Sequence, residues 1–201
     1  MRVHSLAAAA AILVAALGAC SGSKQSQNAA PYGTGDPMLA QVNPYGGPLD
    51  PFLTDGNAVR KALSTLAARY APLRLTSISA VAGHGLTIDV VEPIRSDKVV
   101  RYMIFPTGKT LGPIPVKLVV GGGVATPADI STLAFDPNTI AFERLKPAVR
   151  DAIARSKLQD GRISQWGLGG AKKHVYMIID AIPLRRAVLY DHQLRFVRVM
   201  E

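Results

Sequence analysis

Three runs rich in branched and aromatic residues follow one another with only turns between them: Arg74–Val81, Leu86–Glu92 and Val99–Phe105. Gly83-His84-Gly85 and Arg95-Ser96-Asp97 supply the turns. A fourth strand-like run is expected at about Val116–Val120. Parallel neighbours need a long crossover, usually a helix, and none stands between these runs. The strands therefore pair antiparallel, and an all-parallel nucleotide-binding sheet is excluded.

A helix precedes this group. Asp55 or Asn57 caps a stretch from about Ala58 to Tyr70, where Val59, Leu63, Leu66, Ala67 and Tyr70 share one face and Pro72 stops the chain. The same order then returns. Pro147 suits a first helical turn, Val149, Ala152 and Ile153 share a face, and Gln159-Asp160-Gly161 closes the helix. Strand-like runs follow at Arg162–Leu168, His174–Ile182, Arg185–Tyr190 and Leu194–Val199. VRYMIFPTGK (100–109) lies over RRAVLYDHQL (185–194). The expected fold is α+β: two similar modules of one helix and a four-stranded antiparallel sheet, residues 57–120 and 143–201, with or without a shared sheet. Residues 121–142 are expected to connect them. In that connector Gly121-Gly122-Gly123 reads as flexible chain, Thr126-Pro127 as a helix start, and Asp136-Pro137-Asn138 as a turn.

The amino terminus is of another kind. Arg2 is followed by LAAAAAILVAAL (6–17), an uncharged apolar run too short to span a bilayer as an ordinary helix. Leu17-Gly18-Ala19-Cys20 then resembles the lipobox of bacterial lipoproteins, with small residues before the cysteine. The resemblance implies that residues 1–19 are a signal peptide and that Cys20, the only cysteine, carries diacylglycerol and an acylated amino terminus. Several acyl chains give stable attachment, at roughly 0.8 kcal/mol per buried methylene. Ser21, in place of an aspartate, points to the outer membrane with the body in the periplasm. A lone cysteine excludes an internal disulfide and a multi-thiolate zinc site.

Residues 20–56 read as a Pro/Gly-rich linker, reaching roughly 30–35 Å as a coil. It holds a tandem pattern, PYGTGDPML (31–39) and PYGGPLDPFL (44–53), whose Tyr32, Tyr45 and Phe52 are candidate docking points for a partner, unless they pack back onto the body.

No nucleophile elbow, P-loop or dinucleotide fingerprint marks the body. His84, His174 and His192 do not share a helical spacing, and no metal or cofactor is expected. Asp191-His192 is either a hairpin turn or one half of an acid–base pair. Asp89 and Asp180 occupy related places in the two halves; they are solvated strand residues unless the fold converges them as a hydrolase pair. Trp166 beside glycines is either an interface anchor or a core residue.

The net charge of +9 is uneven. Residues 56–120 carry nine Lys and Arg against three Asp and Glu, and residues 143–201 carry twelve against six. Lys172, Lys173, Arg185 and Arg186 are candidates for contact with an anionic envelope polymer or an acidic protein, although Arg185 and Arg186 straddle a regular strand. Nucleic acid is not expected, since no stacking motif accompanies the charge.

The element order, with a turn such as Asp191-His192-Gln193 before the last strand, resembles small envelope modules of the PepSY-like and tandem inhibitor type. That resemblance implies a binding or inhibitory module that uses its sheet face. The function expected is a non-enzymatic binding or accessory module of an envelope assembly or secretion apparatus. The alternatives are an inhibitor of a hydrolase, or a peptidoglycan-active hydrolase.

Overall fold

The computed structural model describes residues 50–169 and 174–200. Cys20, Tyr32, Tyr45, Lys172 and Lys173 lie outside them. The described chain opens with a 3-10 turn, Pro51–Leu53, capped by the Asp50 side chain, and then helix α1, Gly56–Ala67. Asp55 caps α1 by accepting from Asn57 N at 2.8 Å. Val59, Ala62, Leu63 and Leu66 form its buried face.

Four strands follow as a meander: β1 Leu75–Val81, β2 Gly85–Val91, β3 Val99–Ile104 and β4 Thr110–Val116. β4 is a correction to the expected strand at Val116–Val120. Pro113 and Pro115 cannot donate to a ladder, but β4 lies at the sheet edge, where proline is tolerated. Val119–Val120 (β5) instead pairs with Gly123–Val124 (β6) in a small separate hairpin. Gly121 and Gly122, both at positive φ (57° and 87°), make its two-residue turn, so these glycines are turn formers.

The connector is structured throughout the rest of its length. Helix α2, Pro127–Leu133, starts with a capping box between Thr126 and Asp129. Its Ile130 packs on Val91 and Val99 in a second, small core. Asp136 caps a 3-10 turn at Pro137–Thr139. A further 3-10 turn, Phe142–Arg144, runs directly into helix α3, Leu145–Ser156. The second meander is β7 Arg162–Gly169, β8 Val175–Ala181, β9 Leu184–Tyr190 and β10 Phe196–Met200.

The eight long strands form one antiparallel sheet in the order β10-β9-β8-β7-β1-β2-β3-β4. β1 and β7 lie side by side, with Ile78 opposite Leu168 and Ala80 opposite Trp166. Alternation sets the faces: Leu86, Ile88 and Val90 of β2, and Val175, Met177 and Ile179 of β8, are buried on the face covered by the helices. The main core is one cluster that includes residues of both meanders and of α1 and α3. Two independently cored modules are therefore not what the chain builds.

The centre of that core is made by the lead-ins to the two helices. Trp166 on β7 donates from Nε1 to the Phe52 carbonyl at 2.8 Å, and its ring meets Phe142 at 5.8 Å between centroids. Gly56, at the start of α1, sits so close to the Phe142 carbonyl that a Cβ there would overlap it. Each lead-in thus packs against elements of the other half.

Candidate functional site

The body begins earlier than the expected linker boundary. Pro51, Phe52 and Leu53 are buried, and Phe52 belongs to the main core, so it is not a docking point for a partner. Asp50 explains the local geometry. Its carboxylate accepts from Phe52 N at 3.0 Å and Gly85 N at 2.9 Å, pinning the chain to the β1–β2 turn. Burial pushes its carboxyl up to about 6, although the two backbone N–H groups and the charge of His84 pull the other way. Trp166 is likewise buried, 1% exposed, which corrects its reading as an interface anchor. Both corrections have one cause: the Trp166 indole and the Phe52 backbone satisfy each other inside the core.

The two aspartates at related places, Asp89 and Asp180, are held in related ways. Asp89 on β2 accepts from Ser77 on β1 at 2.8 Å and from Arg101 on β3 through both oxygens, at 2.7 and 2.9 Å. Asp180 on β8 accepts from Arg185 on β9 at 2.7 and 3.1 Å. Burial raises the carboxyl of Asp180, but hydrogen bonds from Arg185 and Ser164 and the Arg185 charge outweigh it, and the net direction is down. Each carboxylate is neutralised across a strand pair, which is sheet stabilisation and not the geometry of an acid–base dyad.

Asp191-His192 forms a turn. Asp191 accepts from Arg195 N at 2.9 Å and Arg195 Nε at 2.7 Å, and the His192 carbonyl accepts from Ala141 N. The His192 Nε2 atom is buried without a hydrogen-bond partner. Among the described residues no group of three His, Cys, Asp or Glu is placed to hold a metal ion.

Two concave features remain. The first is a cleft of about 510 Å³ lined by Arg155, Lys157, Arg185, Arg186, Val199 and Met200. Arg185 and Arg186, adjacent on β9, both line it, joined by two cations from the end of α3. Sequence reasoning missed Arg155 and Lys157. The signal was present, since basic residues at a helix C-terminus are favoured there, but their approach to β9 is tertiary. Arg155 is held by Asp151 at 2.7 Å and stacks over the Phe196 ring at 3.8 Å. Arg186 donates to the Ser156 carbonyl at 2.8 Å, and Lys157 takes the left-handed C-cap position, φ 53°. Among the described residues the four cations are met by two carboxylates, Asp151 and Asp180, an excess of positive charge that suits an anion.

The second is a groove of about 640 Å³ between α1 and the β3–β4 hairpin. Phe52, Leu66, Tyr102, Ile104 and Phe105 line it, as do Lys61 on α1 and Arg69 in the turn that follows α1. The Tyr102 hydroxyl meets that of Tyr70 at 2.7 Å; burial first, and that contact second, push it up to about 12.

No protein-family model matches this chain, and no curated protein is similar to it. The fold is similar to the crystal structure of a "putative lipoprotein (CD1622)" of Clostridium difficile 630. The TM-score is 0.51 at 16% identity, over 71% of this chain and 91% of that one. At that identity the likeness is one of fold. No described helix is long and apolar enough to cross a membrane.

Proposed function

We propose that this chain is a lipid-anchored envelope protein whose body is a non-enzymatic binding module. Cys20 of the lipobox-like Leu17-Gly18-Ala19-Cys20 carries the anchor, and the body stands in the periplasm below the outer membrane. The observation that carries the binding reading is the convergence of Arg155, Lys157, Arg185 and Arg186 on one cleft. Guanidinium forks suit carboxylate and phosphate oxygens, and the cleft's partner is an anionic envelope polymer or an acidic face of an envelope assembly. The fold neighbour's description as a lipoprotein agrees with the anchor. Asp89 and Asp180, the pair the sequence offers as hydrolase carboxylates, are each occupied by arginine, which favours binding over hydrolysis.

Two measurements test this. Cells fed an alkynyl fatty acid label the wild-type chain and not Cys20→Ala. The Cys20→Ala chain co-sediments with peptidoglycan sacculi or lipopolysaccharide at low salt and is released at high salt. Lys157→Gln with Arg186→Gln weakens that binding at least tenfold. Equal binding by wild type and the double variant refutes the cleft; equal labelling of Cys20→Ala refutes the anchor.

A further inference from the structure

We infer that the groove between α1 and the β3–β4 hairpin is a second binding site, for a long-chain fatty acid. This rests on the reading of the body as a binding module but not on the basic cleft.

The argument starts from the two hairpins that end the meanders. Phe105 N donates to the Lys109 carbonyl, and Asp191 N to that of Arg195. Gly108 N donates to Phe105 O, and Leu194 N to Asp191 O; Gly108 and Leu194 are both left-handed, with φ 84° and 52°. The two turns are the same turn, so Thr110, which opens β4, stands where Phe196 opens β10. In the second half Phe196 packs edge-on against Tyr190 beneath the Arg155 guanidinium. In the first half Thr110 lines the groove instead. The space that one half fills with an aromatic ring is open in the other.

The lining then selects the occupant. A peptide or glycan needs hydrogen-bond partners along its length, and this groove offers few. The backbone of α1 is bonded within the helix, Pro51 and Pro106 have no N–H, and the Phe105 and Gly108 amides are spent in the turn. Pro113 and Pro115 also deny a regular edge to an added strand. Apolar surface predominates in the interior, with the Thr65, Tyr102 and Thr110 side chains as its polar points. The charges that line the groove are Lys61 and Arg69, and among its described lining residues none is acidic. An apolar body whose single anionic end pairs with either Lys61 or Arg69, eight residues apart along the groove, matches that lining, and a volume near 640 Å³ lies within the roughly 300–1,000 Å³ usual for small-molecule sites.

The full chain carrying Cys20→Ala, purified without detergent, is titrated with cis-parinaric acid, and saturated C10–C16 fatty acids are used to displace it. Saturable one-to-one binding is expected, tightening about fourfold per added methylene until the groove is filled. Thr110→Phe, which restores the second half's residue, lowers affinity at least tenfold with unchanged circular dichroism. Lys61→Gln with Arg69→Gln weakens the acid severalfold and leaves the matching fatty alcohol unaffected. Lys157→Gln with Arg186→Gln leaves fatty-acid binding unchanged, so failure of the cleft and failure of the groove are separable. Absence of saturable binding, or equal affinity in Thr110→Phe and in the Lys61/Arg69 variant, overturns the proposal. So does binding that appears only after residues 21–49 are deleted, which would assign the groove to the chain's own preceding segment.

Discussion

Asp50→Asn isolates a buried charge whose cost depends on pH. The Asp50 side chain is 2% exposed and anchors the first described turn to the β1–β2 turn through Phe52 N and Gly85 N. Its folded carboxyl sits at about 6, against an ordinary value of 3.8. A carboxyl raised on folding contributes stability that is fully present below the unfolded value. That stability is lost as pH rises through the folded one. Two pH units of difference correspond to about 3 kcal/mol in all, of which about 2 kcal/mol falls between pH 4.5 and pH 8. Asparagine cannot ionise. It keeps one acceptor oxygen and presents an amide where Gly85 N needs an acceptor, a loss of about 1–3 kcal/mol at any pH.

The expected result is a crossover. At pH 4.5 the variant is less stable than wild type by about 1–2 kcal/mol, and by pH 8 the gap closes or reverses, because wild type then bears the buried charge. Urea unfolding at several pH values between 4.5 and 8, followed by circular dichroism, reads the difference directly. Comparing variant with wild type cancels the titration of groups that both share. A difference that is constant with pH, or that widens in favour of wild type toward pH 8, refutes the reasoning.

Three further outcomes follow from named contacts. Gly56→Ala would gain about 1 kcal/mol of helix propensity at an open site, but here its Cβ overlaps the Phe142 carbonyl, so a net loss in thermal midpoint is expected; a rise refutes the close approach. Arg101→Ala removes the main partner of the buried carboxylate of Asp89 and is expected to cost about 3–5 kcal/mol, whereas Arg185→Ala, a solvent-exposed partner of the more exposed Asp180, is expected to lower the denaturant midpoint much less; equal losses refute the distinction. Trp166, the only tryptophan, sits where the two halves meet, so its fluorescence and far-UV circular dichroism should report one coincident unfolding transition; two separated transitions would mean the meanders unfold independently.

What the sequence made legible was periodicity. β8 alternates in burial and β2 in its Leu86-Thr87-Ile88-Asp89-Val90 sequence, the helix faces repeat at three and four residues, and those elements lie within a few residues of their expected bounds. β4 was hidden because an exposed edge strand needs no buried alternation and tolerates Pro113 and Pro115. Phe52 was hidden for a different reason. Asp50-Pro51-Phe52-Leu53 ends a Pro/Gly-rich stretch and matches Asp36-Pro37-Met38-Leu39 upstream, so it reads as linker. Its burial depends on Trp166, 114 residues away. The cleft and the groove are tertiary objects. Arg155 meets Arg185 and Arg186 only through the packing of α3 on the second meander, and the groove forms only where α1 and the β3–β4 hairpin come together.

The difference between the two halves bears on how such a body divides its labour. Each half has a 3-10 lead-in with a buried phenylalanine, a helix and a four-stranded meander, and each lead-in is held by the other half. Interlocking of that kind constrains the centre, where the Phe52 carbonyl, Phe142 and Trp166 must fit together at interior packing density. It leaves the two outer edges, β4 and β10, free to differ. At β10 the edge is closed by Phe196 under Arg155, and the guanidinium groups that result face a charged cleft. At β4 Thr110 lines a recess beside α1 instead, and Pro113 and Pro115 give an edge that resists strand addition. A shared centre with two chemically distinct ends would let the proposed anionic partner and the proposed fatty acid be held by one body without either site straining the other.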